Sequence, residues 1–242
     1  MEVDSFNFKN YTLKISANPI PSKVAIIHFH GFPGEKNNGS QIEKNIDLAK
    51  HLCLTNNLDS FVPHYNGLGE NIESAFSFVQ SIEDSVDLCE KILLSYESII
   101  LIGHSWGGLV AINCFRLHCK KIAKMILMSP FTFFPEEGVL GPIIENLLVE
   151  VPPISQKKPL HEYMSELNKV KKCYGPSLVN KNLLDGRVLV LQAKKDLDIP
   201  AFLTESFIAN NTSNCNYFEI DTDHSFTTNR QLLFEKCSEH LG

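Results

Sequence analysis

The chain has 242 residues, of which 43% are hydrophobic and 21% are charged, and its 28 acidic and 22 basic residues give a formal net charge of −6. These are the proportions of a globular protein with a sizeable core, and the scattered charges exclude a basic surface for binding nucleic acid. The longest apolar runs are too short to cross a bilayer, so stable membrane insertion is not expected.

The N-terminus and the cysteines predict a cytoplasmic protein. Residues 1–5 lack the positive charge and the apolar run of a secretory signal. The seven cysteines are odd in number, include no C-x-x-C pair and stand mostly at apolar positions, which favours buried reduced thiols. Cys114, His118 and Cys119 have the chemistry of metal ligands, but on one helix they are expected to face the core. We therefore predict no metal and no cofactor.

The predicted elements alternate between strands and helices from residue 24 onward. Before them, residues 6–8 and 11–16 form a predicted hairpin whose turn is Lys9-Asn10. The later elements are strand 24–29, helix 40–54, strand 60–63, helix 81–94, strand 99–102, helix 109–117, strand 125–128, strand 188–191, helix 201–209, strand 217–220 and helix 228–240. This alternation predicts the α/β class, with a mostly parallel central sheet and helices on both faces. We expect residues 1–242 to form a single domain.

Residues 130–184 interrupt the alternation. They contain seven prolines and several apolar stretches, and they are too long for a tight connection between two strands. We interpret them as a short cap inserted over the edge at which the parallel strands end. Four apolar residues of this segment are predicted to bind substrate, although ordinary packing of the cap on the sheet explains them about as well: Phe131, Phe134, Ile143 and Leu147.

The segment around Ser105 predicts a catalytic nucleophile. A buried strand leads into the pattern G-x-S-x-G at residues 103–107, and an apolar helix follows. The two glycines remove the Cβ atoms that would collide in so tight a turn, which leaves the Ser105 hydroxyl exposed at its apex. The helix directs its first N–H groups toward the same space, where they suit a developing oxyanion. We therefore predict that Ser105 is the nucleophile of a serine hydrolase.

A serine hydroxyl needs a base and an orienting carboxylate, and both follow predicted strands further along the chain. Asp196 and Asp198 come after strand 188–191, and His224 comes after strand 217–220. The carboxyl ends of parallel strands share one edge of a sheet, so these groups are expected near Ser105. Either aspartate can orient His224. Glu136 and Glu137 are further candidates for the acid, although exposed cap charges explain them better.

Five segments, in this order, resemble the α/β-hydrolase superfamily. His30-Gly31-Phe32-Pro33-Gly34 resembles its oxyanion loop, residues 65–70 its glycine-rich turn and residues 103–108 its nucleophile elbow. Residues 195–200 resemble its acid loop, and residues 223–226 its histidine loop. The resemblance implies that Ser105 is the nucleophile, His224 the base, and Asp196, four residues before Pro200, the preferred acid. It also implies an oxyanion hole formed by the N–H groups of Phe32 and Trp106.

We predict cleavage of a small or medium acyl ester through an acyl-enzyme, with a small-molecule acyl substrate as the partner. A thioesterase, acyltransferase or peptidase would use the same residues, and a ligand-binding protein on this scaffold would not need all of them. His28 is expected to be a core residue, and His104 a structural neighbour of Ser105. The sequence specifies no oligomeric state.

Overall fold

The protein is described from a computed structural model of residues 1–242. The described ranges are 1–6, 8–17, 22–32, 40–71, 73–118, 120–135, 142, 144–145, 158–178, 186–211 and 214–242. Within them, no helix has the length and apolar character needed to span a membrane.

An eight-stranded sheet lies at the centre of the described structure. Its strands, in chain order, are β1 Glu2–Ser5, β2 Thr12–Ser16, β3 Val24–Phe29, β4 Asp59–Pro63, β5 Ser98–His104, β6 Ile122–Met128, β7 Val188–Ala193 and β8 Asn216–Ile220. They are arranged in the order β1-β2-β4-β3-β5-β6-β7-β8. The first two pair antiparallel, and β3 to β8 run parallel to one another. The predicted α/β class with a mostly parallel sheet is therefore confirmed.

Helices cover both faces of this sheet. They are α1 Ser40–Asn56, α2 Phe78–Ile92, α3 Trp106–His118, α4 Leu160–Tyr174, α5 Ala201–Asn211 and α6 Arg230–Leu241. Successive strand side chains point to opposite faces, so Leu101 packs in the cluster that contains α2 and α3, whereas Ile102 packs with α1 and α6. Because both faces are buried, the strands read as continuous apolar runs.

The predicted N-terminal hairpin is wrong in its first strand. Strand β1 lies earlier in the chain than residues 6–8, and Ser5 pairs with Leu13. This register leaves a longer connection, in which Phe6 packs its ring against Phe61 at 5.4 Å and Lys9 adopts a φ of 53°. The chain still turns at Lys9, between the bridged residues Phe8 and Asn10, but the register with β2, which these turn residues do not specify, places the first strand at residues 2–5.

The predicted cap interval 130–184 is only partly described. Its helix α4 packs against α2, and the Glu166 carboxylate accepts a hydrogen bond of 2.8 Å from the Phe78 N–H at the start of α2. The first N–H groups of a helix lack partners within the helix. At the start of α2 the Ser77 side chain accepts from the Gln80 N–H, and the Glu166 carboxylate adds a second acceptor. The cap itself stays a prediction.

Candidate active site

Five parallel strands deliver loops to one edge of the sheet, which we call the carboxyl edge. The segments that leave β3, β5, β6, β7 and β8 there carry Gly31, Ser105, Ser129, Asp196 and His224 respectively. Residues up to 193 positions apart in the chain thus reach one edge, where ligand sites of open parallel sheets typically lie.

Ser105 lies in a strained turn between β5 and α3. Its φ is 52°, in the left-handed region that non-glycine residues rarely adopt. The strain is held in place by backbone bonds, since the Ser105 N–H donates to the Met128 carbonyl at 3.0 Å and the Ser105 carbonyl accepts from the Phe131 N–H at 2.8 Å. A Cβ on Gly107 would overlap with the Phe29 carbonyl, so the turn has room for glycine alone at that position.

His224 and Asp196 form a hydrogen-bonded pair. His224 Nδ1 lies 2.7 Å from Asp196 Oδ2, and the Asp196 side chain is fully buried while that of His224 is 15% exposed. An ionised carboxylate only accepts hydrogen bonds, so Nδ1 carries the hydrogen and donates it. The lone pair of the ring then lies on Nε2, which is the tautomer a general base requires.

The surroundings of Asp196 favour its ionised form. Burial acts to raise the pKa of this carboxyl, but the hydrogen bond and charge of His224, the Ile199 N–H and the Ser129 hydroxyl outweigh burial and lower the pKa. Oδ1 accepts from the N–H groups of Ile199 at 2.7 Å and Asp198 at 3.0 Å. The carboxylate is thereby fixed at both oxygens.

The two candidate aspartates occupy different environments. Asp196 contacts His224, whereas Asp198 is exposed and contributes its backbone N–H to Asp196. This arrangement favours Asp196 as the acid and gives Asp198 a role in holding the loop. Glu136 and Glu137 lie outside the described residues.

One group of side chains in the described ranges has the chemistry of a metal site. Single ligand atoms of Asp196, Asp198 and His224 lie within 4.8 Å of one another. The His224 atom nearest to Asp196 is Nδ1, which donates its hydrogen to that carboxylate. A metal on Nδ1 would replace this hydrogen bond, so the two arrangements are alternatives, and a site without metal stays a prediction.

The predicted oxyanion residues border Ser105. Trp106 is the first residue of α3, so its N–H has no carbonyl one turn earlier in the helix to donate to. On the β3 side, an ideal Cβ on Gly31 would lie 3.0 Å from Ser105 Cβ, which shows how closely this loop approaches Ser105. Phe32 follows Gly31, and its ring packs against Phe76 and Phe78 with centroids 5.0 and 5.6 Å away.

Three further histidines are buried in or directly after β3 and β5 and do not belong to the pair. Burial lowers the pKa of His28, His30 and His104 to about 3 in each case, so all three rings are neutral at physiological pH. His28 lies in the core beside Ser60, as expected. His30 Nδ1 lies 2.8 Å from the Gly31 carbonyl and supports the loop that leads to Phe32.

The predicted substrate-binding residues are described in part. Phe131 is half-buried, and its ring packs against Trp106 at 5.7 Å and against Phe134 at 5.1 Å. Phe134 also lines a cavity of about 610 Å³ between the segment after β6 and helix α5. Ile143 and Leu147 lie outside the described residues.

Two polar contacts of this edge were not predicted from the sequence. Ser129, with a φ of 39°, accepts from the Ala193 N–H at 3.2 Å, and its hydroxyl is one of the groups that lower the pKa of Asp196. Gln41 on α1 donates to the Ser225 hydroxyl at 2.7 Å. Ser129 directly follows strand β6, a position that was a usable signal, but Gln41 has no local signature.

Fold and site together define an α/β protein with a strained strand–turn–helix segment at Ser105 and a histidine–carboxylate pair on one sheet edge. Residues 24–148, slightly more than half of the chain, match the family model of the alpha/beta hydrolase fold. The chain therefore belongs to the α/β-hydrolase superfamily, and the resemblance predicted from its sequence is confirmed. Comparison with curated proteins finds no match.

Solved structures share the fold over nearly the whole chain. An alpha-beta serine hydrolase homologue from Coxiella burnetii is 17% identical with a TM-score of 0.67, covering 100% of this chain and 97% of that one. Est1E from Butyrivibrio proteoclasticus is 15% identical with a TM-score of 0.69, and the coverages are 98% and 96%. XC6422 from Xanthomonas campestris, a serine hydrolase without lid, is 12% identical with a TM-score of 0.66, and the coverages are 99% and 94%. At these identities, the likeness concerns the fold.

Proposed function

We propose that this protein is a serine hydrolase that cleaves a small or medium acyl ester through an acyl-enzyme on Ser105. The observation that carries the proposal is the 2.7 Å bond from His224 Nδ1 to Asp196 Oδ2, at the sheet edge where Ser105 lies in a strained turn. A buried, ionised carboxylate that fixes the tautomer of a histidine is the arrangement that acyl transfer to serine requires.

In the proposed reaction, His224 Nε2 removes the proton from the Ser105 hydroxyl as Oγ attacks the ester carbonyl carbon. The tetrahedral intermediate collapses, the bond to the leaving alkoxide breaks, and the alkoxide takes the proton from Nε2 and leaves as the alcohol. A water molecule then attacks the acyl-enzyme with the same base, which releases the carboxylic acid and restores Ser105. Asp196 stabilises the imidazolium that forms in each half.

The negative oxygen of each intermediate needs donors that are already in place. We assign this role to the backbone N–H groups of Trp106 and Phe32. Support comes from the place of Trp106 at the first turn of α3 and from the close approach of Gly31 to Ser105 Cβ. One such donor typically contributes a factor of about 100 to 1,000 in kcat.

The acyl group is proposed to contact Phe131 and Phe134. Phe131 is joined to the nucleophile through its N–H bond to the Ser105 carbonyl, and its ring connects Trp106 with Phe134. An apolar wall beside the oxyanion donors favours an uncharged acyl chain over a charged one. Ile143 and Leu147 remain proposed contacts from the sequence.

A fluorophosphonate probe tests the proposed nucleophile, because it reacts with serine only when that serine is activated. Wild-type protein should be labelled at Ser105, while Ser105→Ala and His224→Ala should lose labelling and ester hydrolysis. Ser95→Ala, which alters an exposed serine after α2, serves as the control and should be labelled like wild type. Labelling that persists in Ser105→Ala would rule out the proposal.

The class of acyl donor is tested separately. Paired p-nitrophenyl esters and thioesters of equal chain length should show a higher kcat/KM for the esters. The reverse order would identify a thioesterase, and transfer to an added alcohol or amine in preference to water would identify an acyltransferase. Binding without turnover of any donor would favour a ligand-binding role.

A cytoplasmic location is proposed as well. It is supported by Cys53, Cys89, Cys114 and Cys237, which are buried as thiols in the described structure. Fractionation of the source cells should recover the protein with cytoplasmic markers, and recovery with secreted or envelope proteins would contradict this proposal.

A further inference from the structure

His104 adjoins three of the five segments of the candidate site, those that carry Ser105, His224 and Gly31. It directly precedes Ser105, and its Nε2 lies 2.8 Å from the backbone carbonyl of His224. An ideal Cβ on Gly31 would lie 3.0 Å from His104 Nδ1, so the ring also fills the space beside the oxyanion loop. The side chain is buried, which fixes it among these loops.

The chemistry of this contact sets the protonation of the His104 ring. A carbonyl oxygen only accepts, so Nε2 carries the hydrogen and donates it to His224. Burial and the neighbouring His224 lower the pKa of His104 to about 3, which keeps the ring neutral. The two rings have centroids 4.9 Å apart, and a neutral neighbour leaves His224 free of a like charge when it becomes an imidazolium during acyl transfer.

The loop that carries His224 is strained at one residue. Phe226 has a φ of 50°, in the left-handed region that a bulky side chain rarely adopts. Asp196 holds the ring of His224 at Nδ1, but one hydrogen bond leaves the ring free to swing about that atom. The neighbours of His224 are held by other bonds, from Gln41 to Ser225 and from the Thr227 N–H to Asp223. The bond from His104 holds the His224 carbonyl itself, which restricts the backbone from which the ring projects.

We propose that His104 is a positioning residue that holds the backbone of His224, and thus its Nε2, at the distance from Ser105 that proton transfer requires. This inference rests on the proposed function. His104 makes no contact with substrate in this proposal. It acts through the hydrogen bond to the His224 carbonyl and through its own direct linkage to Ser105.

Two amide substitutions separate this role from a merely structural one. In His104→Gln the amide nitrogen reaches about as far as Nε2 and can donate to the His224 carbonyl. In His104→Asn it stops near the position of Nδ1 and cannot. Both side chains are polar, uncharged and smaller than or similar to histidine, so both variants are expected to fold. The fraction of each protein that reacts with the fluorophosphonate is measured, and kcat is calculated for that fraction, so that misfolded protein does not lower the value.

His104→Asn should lower kcat about 10- to 100-fold with KM changed less than about threefold, because a small misplacement of the base slows the chemical step. His104→Gln should recover most of that loss. His28→Leu, at an equally buried histidine beside Ser60, is the matched control and should keep the kcat of wild type.

Equal kcat values for the Asn and Gln variants, or a wild-type kcat in His104→Asn, overturn the positioning role. If one of the two variants fails to fold, the fluorophosphonate labelling rate of the other is compared with the rates of wild type and His28→Leu. A slow rate in His104→Asn, or a rate near wild type in His104→Gln, supports the positioning role, and the opposite result overturns it. Activity that survives in Ser105→Ala instead refutes the proposed nucleophile, and the positioning role then fails with it. Loss of activity in Ser105→Ala with full activity in His104→Asn refutes the positioning role only.

Discussion

Asp59 and Asp196 are both buried carboxylates, yet they lie at opposite edges of the sheet. Asp59 begins β4 at the amino edge, where it accepts a 2.6 Å bond from the Tyr96 hydroxyl and lies 3.8 Å from Lys14 Nζ. Asp196 follows β7 at the carboxyl edge and pairs with His224. Burial and the bond to Asp59 raise the pKa of Tyr96, so that partner keeps its proton.

The difference shows that a buried, hydrogen-bonded carboxylate does not define an active site. Tyr96 has one hydrogen and gives it to Asp59, which closes that network. His224 has a second nitrogen, and its loop shares an edge with Ser105. The two edges differ in which residue types adopt positive φ values: Ser105, Ser129 and Phe226 do so on the carboxyl edge, whereas Asn57 and Gly186, which tolerate this region more readily, do so on the amino edge. We therefore expect substitutions at the carboxyl edge to affect turnover, and those at the amino edge to affect stability.

The largest expected effect is that of Asp196→Asn. An amide can hold His224 in the wrong tautomer and cannot stabilise the imidazolium, so kcat should fall by about 10⁴-fold. Asp198→Asn should stay within about threefold of wild type, because its backbone N–H, which contacts Asp196, is retained. Steady-state kinetics on one ester decide this. Equal losses in the two variants would shift the acid to another residue, such as Glu136 or Glu137.

The space available for a side chain at a glycine should also differ between the two edges. Gly107→Ala places a Cβ against the Phe29 carbonyl, so we expect a loss of about 3 kcal/mol or more in the free energy of unfolding. Gly186 lies before β7 at the amino edge with a φ of 71° and open space around its Cβ position. Gly186→Ala should therefore cost only about 1 kcal/mol, from backbone strain. Urea unfolding of both variants measures the contrast, and similar losses would contradict it.

Acid should destabilise the carboxyl edge through His104. Its pKa is about 3 in the folded state and 6.5 ordinarily, so between these values the unfolded chain binds a proton that the folded chain does not. Its contribution to stability is therefore present above pH 6.5 and decreases as the pH falls toward 3, by up to about 1.4 kcal/mol per pH unit.

The variant His104→Gln isolates this contribution. The free energy of unfolding is measured with urea at pH 7, 6 and 5. Between pH 7 and pH 5 it should fall by about 2 kcal/mol less in this variant than in wild type. Tyr96→Phe at the amino edge should keep the wild-type pH dependence. Parallel curves for wild type and His104→Gln would show that this ring is not held neutral.

Tyr96→Phe is expected to affect stability alone, without an effect on turnover. Removing the hydroxyl leaves Asp59 buried without its closest donor, which should lower the free energy of unfolding by about 1 to 2 kcal/mol. Because the amino edge lies away from Ser105, kcat per reactive site should not change. A fall in kcat without a fall in stability would mean that the two edges are coupled.

Much of the fold could be predicted from the sequence because the signals are local. Continuous apolar runs identified the parallel strands, and the order of Ser105, Asp196 and His224 after those strands placed them on one edge. The first strand of the N-terminal hairpin was placed wrongly because its register is set by pairing with β2, which the turn residues Lys9-Asn10 do not specify. The preference for Asp196 came from a resemblance, since both aspartates occupy the same loop.

The sequence by itself determined which residues of this protein have the chemistry for acyl transfer and along which edge they are found, because strand, turn and helix patterns depend on chain neighbours. Only the tertiary structure decided which oxygen meets His224 Nδ1, and which side chains hold the site. Ser129 accepts from Ala193 at the end of the neighbouring strand β7, 64 residues away, and Gln41 donates to Ser225 from 184 residues away. Such contacts depend on the packing of whole elements, which no local pattern specifies.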